Sequence, residues 1–174
     1  MFNLIELEKI LKDKGFDLDG HLPNLFTKFY TIEILDDKVN IYWGFKHQKL
    51  KKCKKDVIDI VTKLFTIHKN LKDKPFDENK FLENLLDIYL KNTDKIGEPL
   101  NISYFLKYYD RVTLSYFLYL LKKRIYRNYK ISLVIATRSF TNSINNFIWL
   151  PLKENNIQNS TYISHIRFRL VDHQ

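Results

Sequence analysis

The chain has 174 residues, of which 29 are Lys or Arg and 20 are Asp or Glu, so its formal net charge is +9. Hydrophobic residues make up 45% and aromatic residues 15%, which excludes a disordered basic tail and predicts one packed domain or two small ones. The single cysteine, Cys53, excludes an internal disulfide and a cysteine-rich zinc site, so we expect a reducing, cytoplasmic location. No apolar run approaches the roughly 18 residues of a membrane span, and we expect a soluble protein that does not contact membranes.

The predicted N-terminal region covers residues 1–75 and is an α/β hairpin-helix arrangement. Its elements are a helix that begins with a capping box at Asn3 and Glu6 and ends at Gly15, a β-hairpin formed by residues 29–35 and 39–45, and a helix over residues 51–69. The hairpin prediction rests on alternating apolar and polar residues that flank a short acidic turn.

The predicted C-terminal module covers residues 76–174. Its elements are helices over residues 77–92, 102–109 and 113–127, capped by Asp77, Asn101 and Thr113, followed by strands over residues 129–139, 147–152 and 161–171. Three helices followed by antiparallel strands is the order of a winged-helix domain. The sequence therefore predicts an α+β protein with a winged-helix-like C-terminal module, and the two regions could also form one continuous domain.

Positive charge is concentrated in the second part of the sequence. The excess of Lys, Asn and Ile suggests the codon bias of an AT-rich genome, which inflates lysine without a functional cause. Residues 1–99 nevertheless hold 18 Lys and 17 acids, whereas residues 100–174 hold 11 Lys or Arg, including all six arginines, and 3 acids. Because the planar guanidinium suits phosphates and base edges, this distribution predicts a nucleic-acid contact surface in the last part of the chain.

The predicted contact surface combines one helix face with the faces of two strands. On the helix over residues 113–127, a polar stripe lies opposite the apolar stripe, and its Tyr and cationic residues can stack on bases and neutralise phosphates. The members of this polar stripe are Ser115, Tyr119, Lys122 and Tyr126. In the last strand, His165 and two arginines share a face, and Tyr162 is predicted on the opposite face. The predicted nucleic-acid-binding residues are Tyr119, Lys122, Lys123, Arg124, Tyr126, Arg127, Lys130, Arg138, His165, Arg167 and Arg169.

A secondary basic cluster lies between the hairpin and the start of the second predicted helix. Cations at a helix N-terminus oppose the helix dipole, so a phosphate-rich partner could favour them, although exposed lysines also simply increase solubility. The members of this cluster are Lys46, Lys49, Lys51, Lys52, Lys54 and Lys55.

The sequence contains no motif for a metal, a nucleotide cofactor or phosphate cradling. The five histidines lack paired-ligand spacing, and neither a GxxxxGK[ST] nor a GxGxxG pattern occurs. We therefore expect no metal and no cofactor.

The leading hypothesis is a non-enzymatic protein that binds DNA or RNA through its C-terminal part. One alternative is a small assembly or scaffold subunit of a larger complex, which docks through exposed aromatics around Trp43 or Trp149 or through the apolar strand over residues 147–152. A further alternative is a small metal-independent nuclease that uses His165 as acid or base. The predicted position of Tyr162, on the other strand face, counts against this last alternative.

Overall fold

A computed structural model of the chain describes residues 1–137, 146–154 and 160–172. The described residues form a mixed α+β structure with two antiparallel sheets. Contacts divide the chain into two compact units, Met1–Lys74 with Pro151–Ser160 (unit 1) and Pro75–Leu150 with Thr161–Gln174 (unit 2). The division expected from the sequence, after residue 75, does not include the return of residues 151–160 to unit 1. No helix in the described ranges is long and apolar enough to cross a bilayer.

Unit 1 is a five-stranded antiparallel sheet with two helices. Its elements are α1 (Leu4–Asp13), β1 (Asp19–His21), β2 (Asn24–Thr27), β3 (Tyr30–Ile34), β4 (Val39–Trp43), β5 (Gln48–Cys53) and α2 (Val57–Lys72). Each strand pairs with the next along the chain, in the order β1-β2-β3-β4-β5. The Asn3 side chain accepts hydrogen bonds from the backbone amides of Ile5 and Glu6, which confirms the predicted start of α1.

The buried face of unit 1 follows from the alternation in its central strands. Ile32, Ile41 and Trp43 are fully buried, together with Leu7 of α1 and Leu64 of α2. The predicted hairpin is confirmed as β3 and β4, with Ile32 opposite Ile41. The predicted helix over residues 51–69 is wrong at its start, because residues 48–53 pair with β4 and the helix begins only after the Asp56 cap.

Unit 2 places three helices and a second antiparallel sheet around one core. Its elements are α3 (Glu78–Asn92), β6 (Leu100–Asn101), a 3₁₀ helix (Ile102–Lys107), α4 (Arg111–Leu120), β7 (Ile125–Tyr126), β8 (Tyr129–Ile135), β9 (Ile148–Pro151) and β10 (Ser160–Leu170). The strand order is β6-β10-β8-β7, and β9 also pairs with β10. The predicted caps Asp77 and Asn101 are confirmed by side-chain hydrogen bonds to the backbone amides of Lys80 and Ser103.

The core of unit 2 lies between the helices and one face of the sheet. Leu85 of α3, Phe105 of the 3₁₀ helix, Leu114 of α4 and Ile166 and Phe168 of β10 are fully buried there. The sheet therefore has one face committed to the core, and side chains at alternate positions lie on its other face.

The predicted helix over residues 113–127 is wrong at both ends. Asp110, and not Thr113, caps α4, because its carboxylate accepts hydrogen bonds from the amide and hydroxyl of Thr113 at 2.9 and 2.6 Å. The helix stops before Leu121, whose backbone is extended (φ −60°, ψ 123°). Ser115 is also fully buried, with its hydroxyl donating to the Trp149 carbonyl, so the predicted polar stripe does not lie on one helix face.

Candidate functional site

Cations line the face of the second sheet that points away from its core. Arg169 lies directly opposite Lys130 in the register of β10 and β8, and Arg167 lies opposite Ser132. His165 continues the same row on β10, opposite Val134 of β8. Lys130 and Arg169 are exposed, and Arg167 and His165 are half-buried. We call Lys130, His165, Arg167 and Arg169 the basic sheet face.

This face has no acidic counterpart within its own sheet. None of the five strands β6 to β10 contains Asp or Glu. Within the described residues, Lys130, Arg167 and Arg169 form no ion pair, and Nε of Arg167 is shielded from solvent without a hydrogen-bond acceptor. Like charges directly opposite each other destabilise an antiparallel pair by a fraction of a kcal/mol, about 0.2–1. The repulsion between Lys130 and Arg169 is therefore not compensated by an acid of the same sheet.

Three of the other predicted cations, Lys122, Lys123 and Arg127, contact polar side chains of α3. The carboxylate of Glu78 accepts the backbone amide of Lys122 at 2.6 Å, and Nζ of Lys123 donates to the side-chain oxygen of Asn79 at 3.2 Å. Arg127 forms an exposed ion pair with Glu83, with 3.4 Å between Nη2 and Oε1. These contacts span 44 residues of sequence, so local spacing could not reveal them.

The two predicted stacking tyrosines do not share a surface stripe with these cations. Tyr119 is half-buried on α4 and stacks on Tyr116, with 6.2 Å between ring centroids. Tyr126 is in β7, where the guanidinium of Arg127 covers its ring at 5.2 Å. Arg124 is exposed in the segment before β7, and its carbonyl accepts the amide of Ile131 at 2.8 Å. Arg138 lies outside the described residues.

A β-bulge in β10 changes the position expected for Tyr162. Ile163 is opposite Ile135 and His165 is opposite Val134, so Ser164 is an extra residue without a partner in β8. Because one extra residue reverses the alternation, Tyr162 lies on the same sheet face as His165, and the predicted opposite placement is wrong. Burial raises the pKa of Tyr162 and lowers the pKa of His165. His165 Nδ1 is 2.7 Å from the hydroxyl of Ser164.

The secondary basic cluster lies mainly along the edge strand of the first sheet. Lys49, Lys51 and Lys52 belong to β5, which pairs only with β4 in the sheet order. Lysines on an edge strand discourage pairing with other chains. Lys46 donates to Glu33 at 2.6 Å. Lys54 and Lys55, the last two lysines of the cluster, lie between β5 and α2.

The aromatic side chains on which the assembly alternative depended are buried. Trp43 and Trp149 have no exposed surface, and all four residues of β9 are buried. Of the strand over residues 147–152, Phe147 is half-buried and Leu152 is 61% exposed, and the assembly alternative stays a prediction. Within the described residues, no cluster of three His, Cys, Asp or Glu side chains is placed to hold a metal ion.

Unit 2 also contains an aromatic cavity that the sequence pattern does not reveal. Phe76, Phe81, Tyr109 and Phe117 line a cavity of about 470 Å³ at the ends of three different elements. Their spacing in sequence indicates only core positions. The high aromatic content of the chain was the only signal that could have suggested such a cluster.

Comparisons with protein-family models, with curated proteins and with solved structures found no match to this chain.

Proposed function

We propose that this protein binds nucleic acid through the basic sheet face of unit 2. The observation that carries the proposal is the row of cations on paired strands, Arg169 opposite Lys130 with Arg167 beside them, in a sheet whose strands contain no acid. Lys130, Arg167 and Arg169 contact phosphates, and His165 extends the row. Phosphate contacts of this kind position the nucleic acid without reading its sequence.

The strands, and not a helix, form this contact surface. The order of helices and strands in unit 2 suggested a winged-helix-like module, and that description stays a prediction. Every residue of α4 is at least partly buried, so α4 presents little side-chain surface to a major groove. We therefore assign Lys122, Lys123 and Arg127, which lie next to α3, a smaller part in binding than the sheet cations.

The proposal predicts a salt-dependent affinity that can be measured by fluorescence anisotropy. With three phosphates neutralised on duplex DNA, log K falls by about 0.9 for each phosphate per tenfold rise in salt, so affinity drops about 40-fold from about 50 to about 200 mM. Replacing both arginines (Arg167→Ala with Arg169→Ala) removes two of the three phosphate contacts. The slope of log K against log salt should therefore become about two thirds less steep. Titrations against duplex DNA, single-stranded DNA and RNA of equal length identify the preferred form.

A matched control replaces two cations that lie beside α3. The pair Lys122→Ala and Lys123→Ala removes the same charge as the arginine pair, and we expect a smaller change in slope. Circular dichroism checks that each variant is folded. The proposal is wrong if affinity is micromolar or weaker and indifferent to the arginine pair, or if the lysine pair lowers the slope equally.

The bulge at Ser164 favours a second candidate function, metal-independent cleavage of RNA. It brings Tyr162, His165 and Arg167 to one sheet face. There His165 can take the proton of the ribose 2′-hydroxyl as its oxygen bonds to phosphorus, Arg167 can stabilise the charged phosphorane, and the Tyr162 hydroxyl can protonate the 5′-oxygen as its bond to phosphorus breaks. The test is incubation of labelled RNA with the pure protein in the presence of a metal chelator. Cleavage that survives His165→Ala, or no cleavage at all, removes this candidate.

A further inference from the structure

The aromatic cavity of unit 2 has the walls of a stacking site. Phe117 lies 5.0 Å from Phe76 and 5.4 Å from Phe81, measured between ring centroids, and Phe81 lies 5.5 Å from Tyr109. Phe81 is buried, whereas Phe76, Tyr109 and Phe117 are each partly exposed at the cavity. The rings pack on one another in tilted or T-shaped pairs and line an open volume of about 470 Å³, which is within the range typical of small-molecule sites.

Three polar groups at this cavity keep unused hydrogen-bonding capacity. The side-chain amide of Asn84 donates to the hydroxyl oxygen of Tyr109 at 3.2 Å, and within the described residues that hydroxyl proton has no acceptor. The amide oxygen of Asn84 likewise receives no hydrogen bond there, and Lys80 is exposed and forms no ion pair in the described part of the chain. The cavity therefore offers a donor, an acceptor and a cation beside aromatic walls. The carboxylate of Asp77 also lines it, and this carboxylate is engaged as the cap of α3, where it accepts the backbone amide of Lys80 at 3.1 Å.

We propose that this cavity binds the base of a nucleotide, with its phosphate at Lys80. A base stacks on aromatic rings, and its polar edge presents donors and acceptors that match Asn84 and Tyr109. A purely apolar ligand would leave the hydroxyl and the amide oxygen unsatisfied, and Lys80 repels a quaternary ammonium ion. The chemistry is therefore that of a planar heterocycle carrying an anionic group.

A second cavity next to the first gives room for another nucleotide. It has a volume of about 430 Å³ and shares Asn84 and Tyr109 with the first cavity, so this hydrogen-bonded pair stands between the two. Tyr108, 64% exposed, and Lys91 line the second cavity and supply another ring and another cation, and the exposed carboxylate of Asp87 lies there as well. The ligand can thus be a free nucleotide or two successive nucleotides of a single strand.

Isothermal titration calorimetry with mononucleotides and dinucleotides tests the proposal. We expect binding of at least one of AMP, GMP, CMP and UMP. Tyr109→Phe keeps the ring and removes the hydroxyl, and should weaken binding about fivefold. Phe76→Leu keeps apolar volume and removes the stacking ring, with a loss of about fivefold or more. Lys80→Gln removes the cation, and Lys95→Gln, at an exposed lysine of the same unit, is its matched control.

The two ligand sources and the two proposed sites give different results. The site takes a single strand if a dinucleotide binds at least tenfold more tightly than either mononucleotide and loses this gain with Tyr108→Ala. It takes free nucleotides if the affinities are equal. Replacing Arg167 and Arg169 by Ala should leave mononucleotide binding unchanged, because this site does not rest on the basic sheet face. The proposal is overturned if no mononucleotide or dinucleotide binds at millimolar concentration, or if Tyr109→Phe and Phe76→Leu, both folded, bind as the parent does.

Discussion

Replacing Glu33 by Gln should destabilise unit 1 in a pH-dependent way. The carboxylate of Glu33 on β3 accepts hydrogen bonds from Asn40 at 2.9 Å, Tyr42 at 3.0 Å and Lys46 at 2.6 Å. These bonds, led by that of Asn40, lower the pKa of Glu33 from 4.5 to about 2. The charged form is therefore held more tightly in the folded protein than in the unfolded chain.

The size of the effect follows from this pKa difference. One pKa unit corresponds to about 1.4 kcal/mol, so the full difference would contribute about 3 kcal/mol to the free energy of unfolding. Because 14% of the Glu33 side chain and 38% of the Lys46 side chain are exposed, water screens the interaction, and we expect about 1–2 kcal/mol. This stability is present above pH 4.5 and is lost as pH falls towards the folded pKa of about 2.

Urea unfolding followed by fluorescence measures this contribution. In a Trp149→Phe background Trp43 is the sole tryptophan, so its emission reports unit 1 alone. Near pH 7, Glu33→Gln should lower the free energy of unfolding by about 1–2 kcal/mol, and near pH 3 the difference should shrink by more than half. Glu8→Gln, at an exposed position of α1, is the control and should change little. A difference that stays constant with pH would refute the assignment of the stability to the Glu33 carboxylate.

Four further predictions concern the packing of both units. Burial is the main cause that lowers the pKa of His68 from 6.5 to about 4. Unit 1 should therefore lose stability as pH falls from 6.5 towards 4, and NMR should show no protonation of the His68 imidazole above about pH 5. Tyr30→Phe removes the 2.9 Å hydrogen bond to His68 and should cost about 1 kcal/mol in urea unfolding. Gly20→Ala should lower thermal stability more than Gly15→Ala. Both glycines have a positive φ (84° and 81°), but a Cβ at Gly20 would lie 2.8 Å from a carbonyl oxygen, whereas Gly15 has open space around it. Equal losses of thermal stability would contradict this prediction. Phe105→Ala, at a fully buried core position, should cost about 3–5 kcal/mol by the same unfolding assay, and a loss below about 1 kcal/mol would contradict the core assignment.

The sequence predicted elements whose ends carry a local signal. Asn3, Asp77 and Asn101 each precede a helix and cap it by side-chain hydrogen bonds, which local residues alone determine. The alternation of β3 and β4 was also visible, because every second residue is buried on the same face.

The errors occurred where distant partners decide the local structure. Residues 48–53 contain three lysines and show weak alternation, and they form a strand because β4 offers its open edge. Lys122 and Lys123 continue a helical pattern from α4, but Glu78 binds both backbone amides and Ile125 pairs with Lys130 of β8. No local pattern distinguishes this outcome from one more helical turn.

The bulge of β10 was invisible for a different reason. An extra residue such as Ser164 leaves no mark in the residue types, because Tyr162 through Leu170 fit a continuous alternation almost as well. Only pairing with β8 shows that Ile163 and Ile166, three residues apart, share the core face. A prediction of which residues meet on a strand face therefore depends on register as well as on alternation.

Two features point to the proposed site: the net charge of residues 100–174 and the arrangement of charges in unit 2. The arrangement is the better guide. Residues 75–99 belong to unit 2 and add six acids, so the cations that follow α4 and β7 lie beside carboxylates that a division at residue 100 leaves out. The basic sheet face differs, because no acid occurs in its strands and its charges lie opposite one another. If nucleic acid relieves that repulsion, Arg169→Ala should both weaken binding and stabilise the unliganded protein by about 0.2–1 kcal/mol. An Arg169→Ala variant that is less stable and binds equally well would show that the charge of this face is only structural.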